Sequence, residues 1–446
     1  MLLPALFAAS LTLAPSVQAR SAAGDAAPPN VLVVVLDDVS AYELPCYGLP
    51  GAEAQTPRLD QLAQQGVLFE RAWSYPICSP TRAALLTGRY GFRTGIGANI
   101  NKNATVGLGR EEVFLPELLR NHAPHPYSDI ALGKWHIGTA NTGGVLAPNV
   151  AGFGSYSGVL HNLVGEENYY TYELTEDGEQ SLIEEPYLTT QQVDSALSFI
   201  RETPEPWYCH LALTAPHEPW HAPPSDLHHT PIFPTFDVKR SMFIAMLEAA
   251  DTELGRLWDS LDPEVRSRTT FIVLGDNGTH GPAVGDGIDP THAKGSLYEG
   301  GVHVPLLVTG RGVADPGRRE PALVHVVDVY ATVAELAGIP KLAPPGATGV
   351  DSVSMVPYLR AGGAPSQRQF LFTERFGPNG QPFNNERRAM RDERYKLIRF
   401  GSHSEHLYDL ELDPNELDNL MLAPLAPEAE AAYQRLSQAL DGLLHS

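Results

Sequence analysis

Cysteine is scarce in this chain. Its three residues, Cys46, Cys78 and Cys209, cannot make a disulfide framework, so a packed core must hold the fold. Basic residues are also short. The 31 Lys and Arg against 53 Asp and Glu give a formal net charge of −22, which argues against a nucleic-acid partner, since phosphate binding needs a basic face. A local pocket on such a chain can still be positive, so small anionic substrates stay open. Long apolar runs are missing too. Residues 2–17 are too short for a comfortable membrane span and end in Val17-Gln18-Ala19, the small-residue pattern of a signal-peptidase site. Residues 1–19 are therefore expected to be a signal peptide. The mature protein is expected to be periplasmic or secreted, with no membrane partner.

What is present reads as globular: 43% hydrophobic and 19% charged residues over 446 positions, enough for one large core and a smaller second unit. Residues 30–36 (NVLVVVL) form an uninterrupted apolar run, the pattern of a strand buried on both faces. A helical stretch at 56–63 closes at Gly66, and a strand-like piece at 67–69 leads to Cys78. Further strand-like runs are 129–132, 207–213, 270–274 and 304–308, with helical segments at 190–200, 242–261 and 326–337. This alternation predicts an α/β fold: a large mixed, mostly parallel sheet sandwiched by helices. Beyond a small polar linker at 361–369, short β-like pieces and a helical tail at 428–444 predict a C-terminal α+β subdomain. The expected domains are 28–359 and 370–446.

Four polar clusters stand just behind strand-like runs: Asp37-Asp38, Lys134-Trp135-His136, His217 and Asp276-Asn277. Ligands of open α/β sheets bind beyond the carboxyl ends of the strands, so these clusters would converge on one rim. Each alone has an ordinary reading. An Asp-Asp pair caps a turn, a histidine beside Trp135 packs a strand end, and His217 and Lys294 lie exposed. Their joint placement favours a site. Asp37, Asp38, Asp276 and Asn277 offer only oxygen donors, which suit Ca²⁺ or Mg²⁺ rather than Zn²⁺. Cys78 precedes Pro80 by two residues, and Pro80 suits the first turn of a helix. That sets Cys78 at a helix N-terminus, where free amides favour an anion, with Arg82 one turn on. The competing readings of Cys78 are a buried inert thiol and a thiol nucleophile.

The run Cys78-Ser79-Pro80-Thr81-Arg82, closed by Leu86-Thr87-Gly88, resembles the signature of the formylglycine-dependent, arylsulfatase-like (type I) sulfatases of the alkaline phosphatase superfamily. The resemblance extends along nearly the whole chain. Gly133-Lys134-Trp135-His136-Ile137-Gly138, Pro216-His217-Glu218-Pro219, Gly275-Asp276-Asn277-Gly278 and the segment from His292 to Gly301 match further family motifs. His303 stands where the family usually has arginine, which puts a structural contact in question.

The resemblance implies that a maturation enzyme, a transient partner, oxidises Cys78 to formylglycine. The hydrated aldehyde attacks sulfur beside a metal held by Asp37, Asp38, Asp276, Asn277 and position 78. His217 or Lys294 protonates the leaving alcohol, and His136 deprotonates the remaining hydroxyl so that sulfate is expelled. Arg82, Lys134 and Lys294 spread charge on the sulfuryl oxygens. The implied substrate is a carbohydrate or aryl sulfate. A phosphodiester or phosphonate monoester hydrolase using the same chemistry is the alternative, and a catalytically dead binding protein the third reading. Residues 152–190, rich in Tyr and Glu, and 218–237, rich in Pro and His, are expected to wall the pocket; His221, His228, His229 and His280 stay unassigned.

Overall fold

The computed structural model describes residues 27–232, 237–339, 349–401 and 404–445, so the expected signal peptide lies outside the described residues. Ten strands form one sheet: β1 (Asn30–Leu36), β2 (Gly66–Trp73), β3 (Ser128–Gly133), β4 (Ser155–Gly158), β5 (Thr171–Glu176), β6 (Glu179–Glu184), β7 (Trp207–Ala212), β8 (Thr269–Gly275), β9 (Leu306–Gly310) and β10 (Arg318–His325). Their order is β10-β2-β9-β8-β1-β7-β3-β4-β5-β6. The centre, β8-β1-β7-β3-β4, is parallel throughout.

β1 shows why the sheet sits inside. All its residues are buried. Leu32, Val34 and Leu36 enter one apolar core, and Val31, Val33 and Val35 the opposite one. Helices Pro57–Gln64, Leu188–Glu202 and Val238–Asp259 cover the first face. Helices Cys78–Thr87, Leu115–His122 and Asp328–Leu336 cover the second. This is the expected α/β architecture.

A separate antiparallel meander follows: β11 (Leu371–Gly377), β12 (Asn384–Arg391), β13 (Tyr395–Phe400) and β14 (Ser404–Asp409), packed by the helix Pro427–Leu444. One edge of it docks on the large sheet. The Thr373 hydroxyl donates to the Ser74 carbonyl at 2.9 Å, and buried Lys396 reaches Glu299 at 3.1 Å and Glu416 at 2.8 Å.

Three details differ from the sequence-based expectation. The run at 304–308 belongs to β9, which is antiparallel to both β8 and β2. Gly66 does not close a helix but opens β2, where a Cβ would stand 2.3 Å from the Val308 carbonyl oxygen. His303, the departure from the family pattern, finds its own partner, with Nε2 2.9 Å from the Glu70 carbonyl.

Candidate active site

The central strands deliver the site. β1 ends at Leu36, and β8, beside it in parallel register, ends at Gly275. Asp37-Asp38 and Asp276-Asn277 therefore leave the sheet together. The Asp276 amide donates to the Leu36 carbonyl at 3.0 Å, and the Asp38 amide donates to Asp276 Oδ1 at 3.0 Å. Asp38 makes this turn with φ +67°, a left-handed conformation that Asp tolerates. Lys134 and His136 follow β3, and His217 closes a turn behind β7 with its amide on Thr214 O at 3.0 Å. Cys78 is the first residue of the helix Cys78–Thr87 and is fully buried, as the Cys-x-Pro pattern implies.

Asp37, Asp38, Cys78, Arg82, Lys134, His217, Asp276, Asn277 and Lys294 meet here, with buried His136 in electrostatic reach of Lys134, Arg82 and Asp37. Cys78 Sγ lies 3.6 Å from Asp37 Oδ1 and 3.7 Å from Lys134 Nζ. Lys134 Nζ is 2.5 Å from Asp37 Oδ2, and Lys294 Nζ is 2.5 Å from Asp38 Oδ1. Asn277 Nδ2 donates to Asp38 Oδ1 at 2.8 Å. Arg82 Nη2 lies 2.9 Å from Asp276 and 3.3 Å from Asp37, while Nη1 donates to the Lys134 carbonyl at 2.7 Å. His217 Nε2 is 3.9 Å from Asp38 Oδ2. Its Nδ1 lies 2.7 Å from the Glu218 carbonyl and must carry the proton there, so Nε2 faces the cluster with its lone pair.

Three carboxylates face three cations in a buried space, and the titrations reflect it. Burial opposes ionisation of Asp37, but Lys134, His217 and Arg82 outweigh it and hold the carboxyl well below its usual range. Burial, then Asp37, pushes Asp276 up to about 6. Burial and then Asp276 raise the Cys78 thiol, so the unmodified side chain is a neutral thiol and a poor nucleophile. Burial, then Lys134, lowers His217 to about 4. Burial, Lys134 and Arg82 hold His136 well below the ordinary histidine range.

A family model described as sulfatase matches residues 29–339, and the model "N-sulphoglucosamine sulphohydrolase, C-terminal" matches 291–444. The chain belongs to the sulfatase family. Similar proteins include dog N-acetylgalactosamine-6-sulfatase, 29% identical over 79% of this chain and 70% of that protein. Human arylsulfatase A is 29% identical over 92% of this chain and 87% of its own. Among solved structures, Ps i-CgsB in complex with k-i-k-neocarrahexaose superposes with a TM-score of 0.78 at 25% identity, covering 93% of this chain and 92% of that one. Fold and family together assign the chain to the sulfuric ester hydrolases of the alkaline phosphatase superfamily.

The sulfatase site is suited to a metal on its own chemistry. Ligand atoms of Asp37, Asp38, Cys78 and His217 all lie within 4.8 Å of one another. Asn277 Oδ1 is buried with no hydrogen-bond partner among the described residues, an acceptor beside three carboxylates. Neither His136 ring nitrogen has a hydrogen-bond partner among the described residues although the residue is buried.

Two supporting residues escaped the sequence reading. The Ser79 hydroxyl donates to the His136 carbonyl at 2.7 Å and accepts from the Ile100 amide at 3.0 Å, fixing the left-handed turn at His136. The Tyr169 hydroxyl lies 2.7 Å from both the Thr214 and His217 carbonyls and braces the His217 turn. Ser79 stood in the cysteine motif as its variable position, and Tyr169 had no local signal beyond a tyrosine-rich stretch.

Beyond the ends of β3 and β4 opens a cavity of about 290 Å³, lined by Lys102, Trp135, His161, Asn162, Glu173 and Gln180 among others. Residues 159–163 with Glu167, Glu173 and Gln180 line this cavity; Cys78, His217 and Lys294 do not, nor does any described residue of the 218–237 loop. His221 of that loop stacks on Tyr169 at 4.4 Å and meets the Tyr187 hydroxyl at 3.2 Å, a packing role.

Proposed function

We propose that this sulfatase hydrolyses a sulfate ester on a saccharide, using formylglycine formed from Cys78 and a calcium or magnesium ion. The observation that carries this reading is the setting of Cys78. It is a buried, neutral thiol at a helix N-terminus, within 4 Å of Asp37 and Lys134 and beside an all-oxygen donor set. A cation here would be held by Asp37, Asp38, Asp276, Asn277 and position 78, and would supply positive charge that acidifies a bound hydroxyl and offsets charge on the sulfuryl group. The hydrated aldehyde supplies two hydroxyls, one to attack sulfur and one whose loss of a proton lets the product depart.

The remaining work falls to side chains. Lys134 and Lys294 bind the sulfuryl oxygens, and Arg82 pins Asp37 and Asp276 while adding its charge. Lys294 is the better-stocked proton donor. Burial pulls its pKa down, but Asp38, position 78 and Asp37 outweigh burial and raise it. His217, whose Nε2 carries a lone pair toward Asp38, is the second candidate: it would first take the proton of the attacking hydroxyl on Nε2 and then pass it to the leaving alkoxide. His136, kept neutral by burial and by Lys134, is the base that takes the proton from the second hydroxyl.

A saccharide fits the cavity beyond β3 and β4, which mixes polar side chains with Trp135, and fits the sulfated sugars named for N-acetylgalactosamine-6-sulfatase. The test compares an aryl sulfate with an aryl phosphodiester on the wild-type and Cys78→Ala chains. Sulfate turnover should dominate and vanish in Cys78→Ala, with the variant still folded. Preferred phosphodiester turnover, or near-normal activity without Cys78, would reject the reading.

A further inference from the structure

The C-terminal sheet carries two arginines that its own packing does not explain. Arg375 and Arg387 stand directly opposite each other in the β11–β12 ladder. Like charges in that position repel. In a chain with 53 acidic residues, neither has a carboxylate at ion-pair distance among the described residues. Their neighbours are satisfied: Arg388 pairs with Glu374 and Glu386, and Arg399 with Glu405 and Asp441. Burial and then Arg387 hold the Arg375 guanidinium below its ordinary pKa, a sign of positive charge without compensation.

Their location ties them to the active site. Arg375 Nη1 donates to the Gly295 carbonyl at 2.5 Å. Gly295 follows Lys294, whose Nζ is on Asp38, and its amide donates to the Pro76 carbonyl at 2.7 Å, two residues before Cys78. On the other side, Arg387 lines a groove of about 560 Å³ together with Phe383 and Phe400. Glu386, the acidic residue of that lining, is held by Arg388 at 2.5 Å. Phe383 is fixed by stacking on Phe376 at 4.1 Å. Guanidiniums without a carboxylate partner, one of them sharing this groove with Phe383 and Phe400, suit an anionic sugar: arginine matches sulfate or carboxylate bidentately, and the rings cover C–H faces.

We propose that Arg375 and Arg387 form an anion-binding extension of the sulfatase cleft that receives a second sulfate or a carboxylate, so that the substrate is a polyanionic oligosaccharide. This rests on the sulfatase reading above and adds the substrate class to it. The test titrates the full Cys78→Ala chain, with and without Arg375→Ala and Arg387→Ala, with sulfated tetrasaccharides from carrageenan, chondroitin 6-sulfate and heparan sulfate. Carrageenan offers sulfate only and the other two add carboxylates, which separates the two anions.

At least one tetrasaccharide should bind. Its affinity should fall about tenfold when both arginines are removed, the worth of one or two charge-assisted hydrogen bonds, and should weaken with added salt. Turnover of nitrophenyl sulfate by the Arg387→Gln variant with Cys78 intact should stay within about twofold, since that substrate carries no second anion. The exposed Arg387→Gln alone should give part of the affinity loss without disturbing the fold. Equal affinity with and without the arginines, or no tetrasaccharide bound at all, overturns the proposal. Turnover of nitrophenyl sulfate without arginine-dependent binding removes this inference and spares the sulfatase reading; arginine-dependent binding without turnover does the reverse.

Discussion

Two of the buried charge clusters among the described residues are built to different ends. Where the small sheet docks on the large one, Glu299 and Glu416 meet Arg391 and Lys396. That set closes on itself. Trp73 Nε1 donates to Glu299 at 3.0 Å, Lys396 Nζ bridges both glutamates and sits over the Trp73 ring at 4.8 Å, and the Glu299 amide donates to Glu416. The active-site cluster sets three acids against three cations, yet leaves His136 Nδ1 and Nε2, Asn277 Oδ1 and Arg82 Nε without hydrogen-bond partners among the described residues. A buried polar group left open costs stability, and the active-site cluster carries four such atoms, whereas in the other set only Glu416 Oε1 lacks a hydrogen bond and Lys396 Nζ faces it at 2.8 Å. The difference separates a charge network that joins two parts of a fold from one with donor atoms open to a ligand.

The largest effect should come from emptying the open cluster. A strong chelator should abolish turnover, and calcium or magnesium should restore it better than zinc, because the donors are oxygens. Asp276→Ala should lose most activity for the same reason. Restoration by zinc alone, or indifference to chelation, would make the open cluster something other than a hard-cation site.

Next in size is the proton donor. Removing His217 or Lys294 should cost an alkyl or sugar sulfate roughly a hundred- to ten-thousand-fold and a nitrophenyl sulfate far less, since nitrophenolate leaves without a proton. Equal losses on both substrates for both variants would mean that these residues only bind the sulfate. The closed cluster should behave oppositely. Lys396→Met leaves buried Glu416 without its cation, while Glu299 keeps Arg391 and Trp73, and should lower stability by about 3–5 kcal/mol in denaturant unfolding, with kcat on nitrophenyl sulfate unchanged within about twofold. A catalytic loss larger than the stability loss would erase the distinction between the two clusters.

Much of the open cluster was legible in the sequence because its residues sit at fixed offsets from buried strands. NVLVVVL ends directly at Asp37, and β8 ends directly at Asp276. A parallel sheet brings such ends together, so short motifs far apart in the chain reported one place. The closed cluster was invisible for the opposite reason. Glu299, Lys396 and Glu416 are ordinary charges whose pairing depends on how the small sheet docks. β6 and β12 were missed because EQSLIE is largely exposed and NNERRAMR carries charge rather than alternating apolar residues. The antiparallel direction of β9 had no local signal, since an apolar run reads alike in either direction. Tyr169 and Ser79 brace the site through backbone carbonyls, and such contacts have no sequence pattern of their own.

The most direct measurement is the mass of the peptide carrying Cys78, from protein produced with a formylglycine-generating enzyme, set beside the rate of sulfate release by the same preparation. The expected result is an aldehyde or its hydrate in place of the thiol, with activity rising in proportion to the converted fraction. A preparation that releases sulfate at full rate while every Cys78 remains a thiol would contradict it.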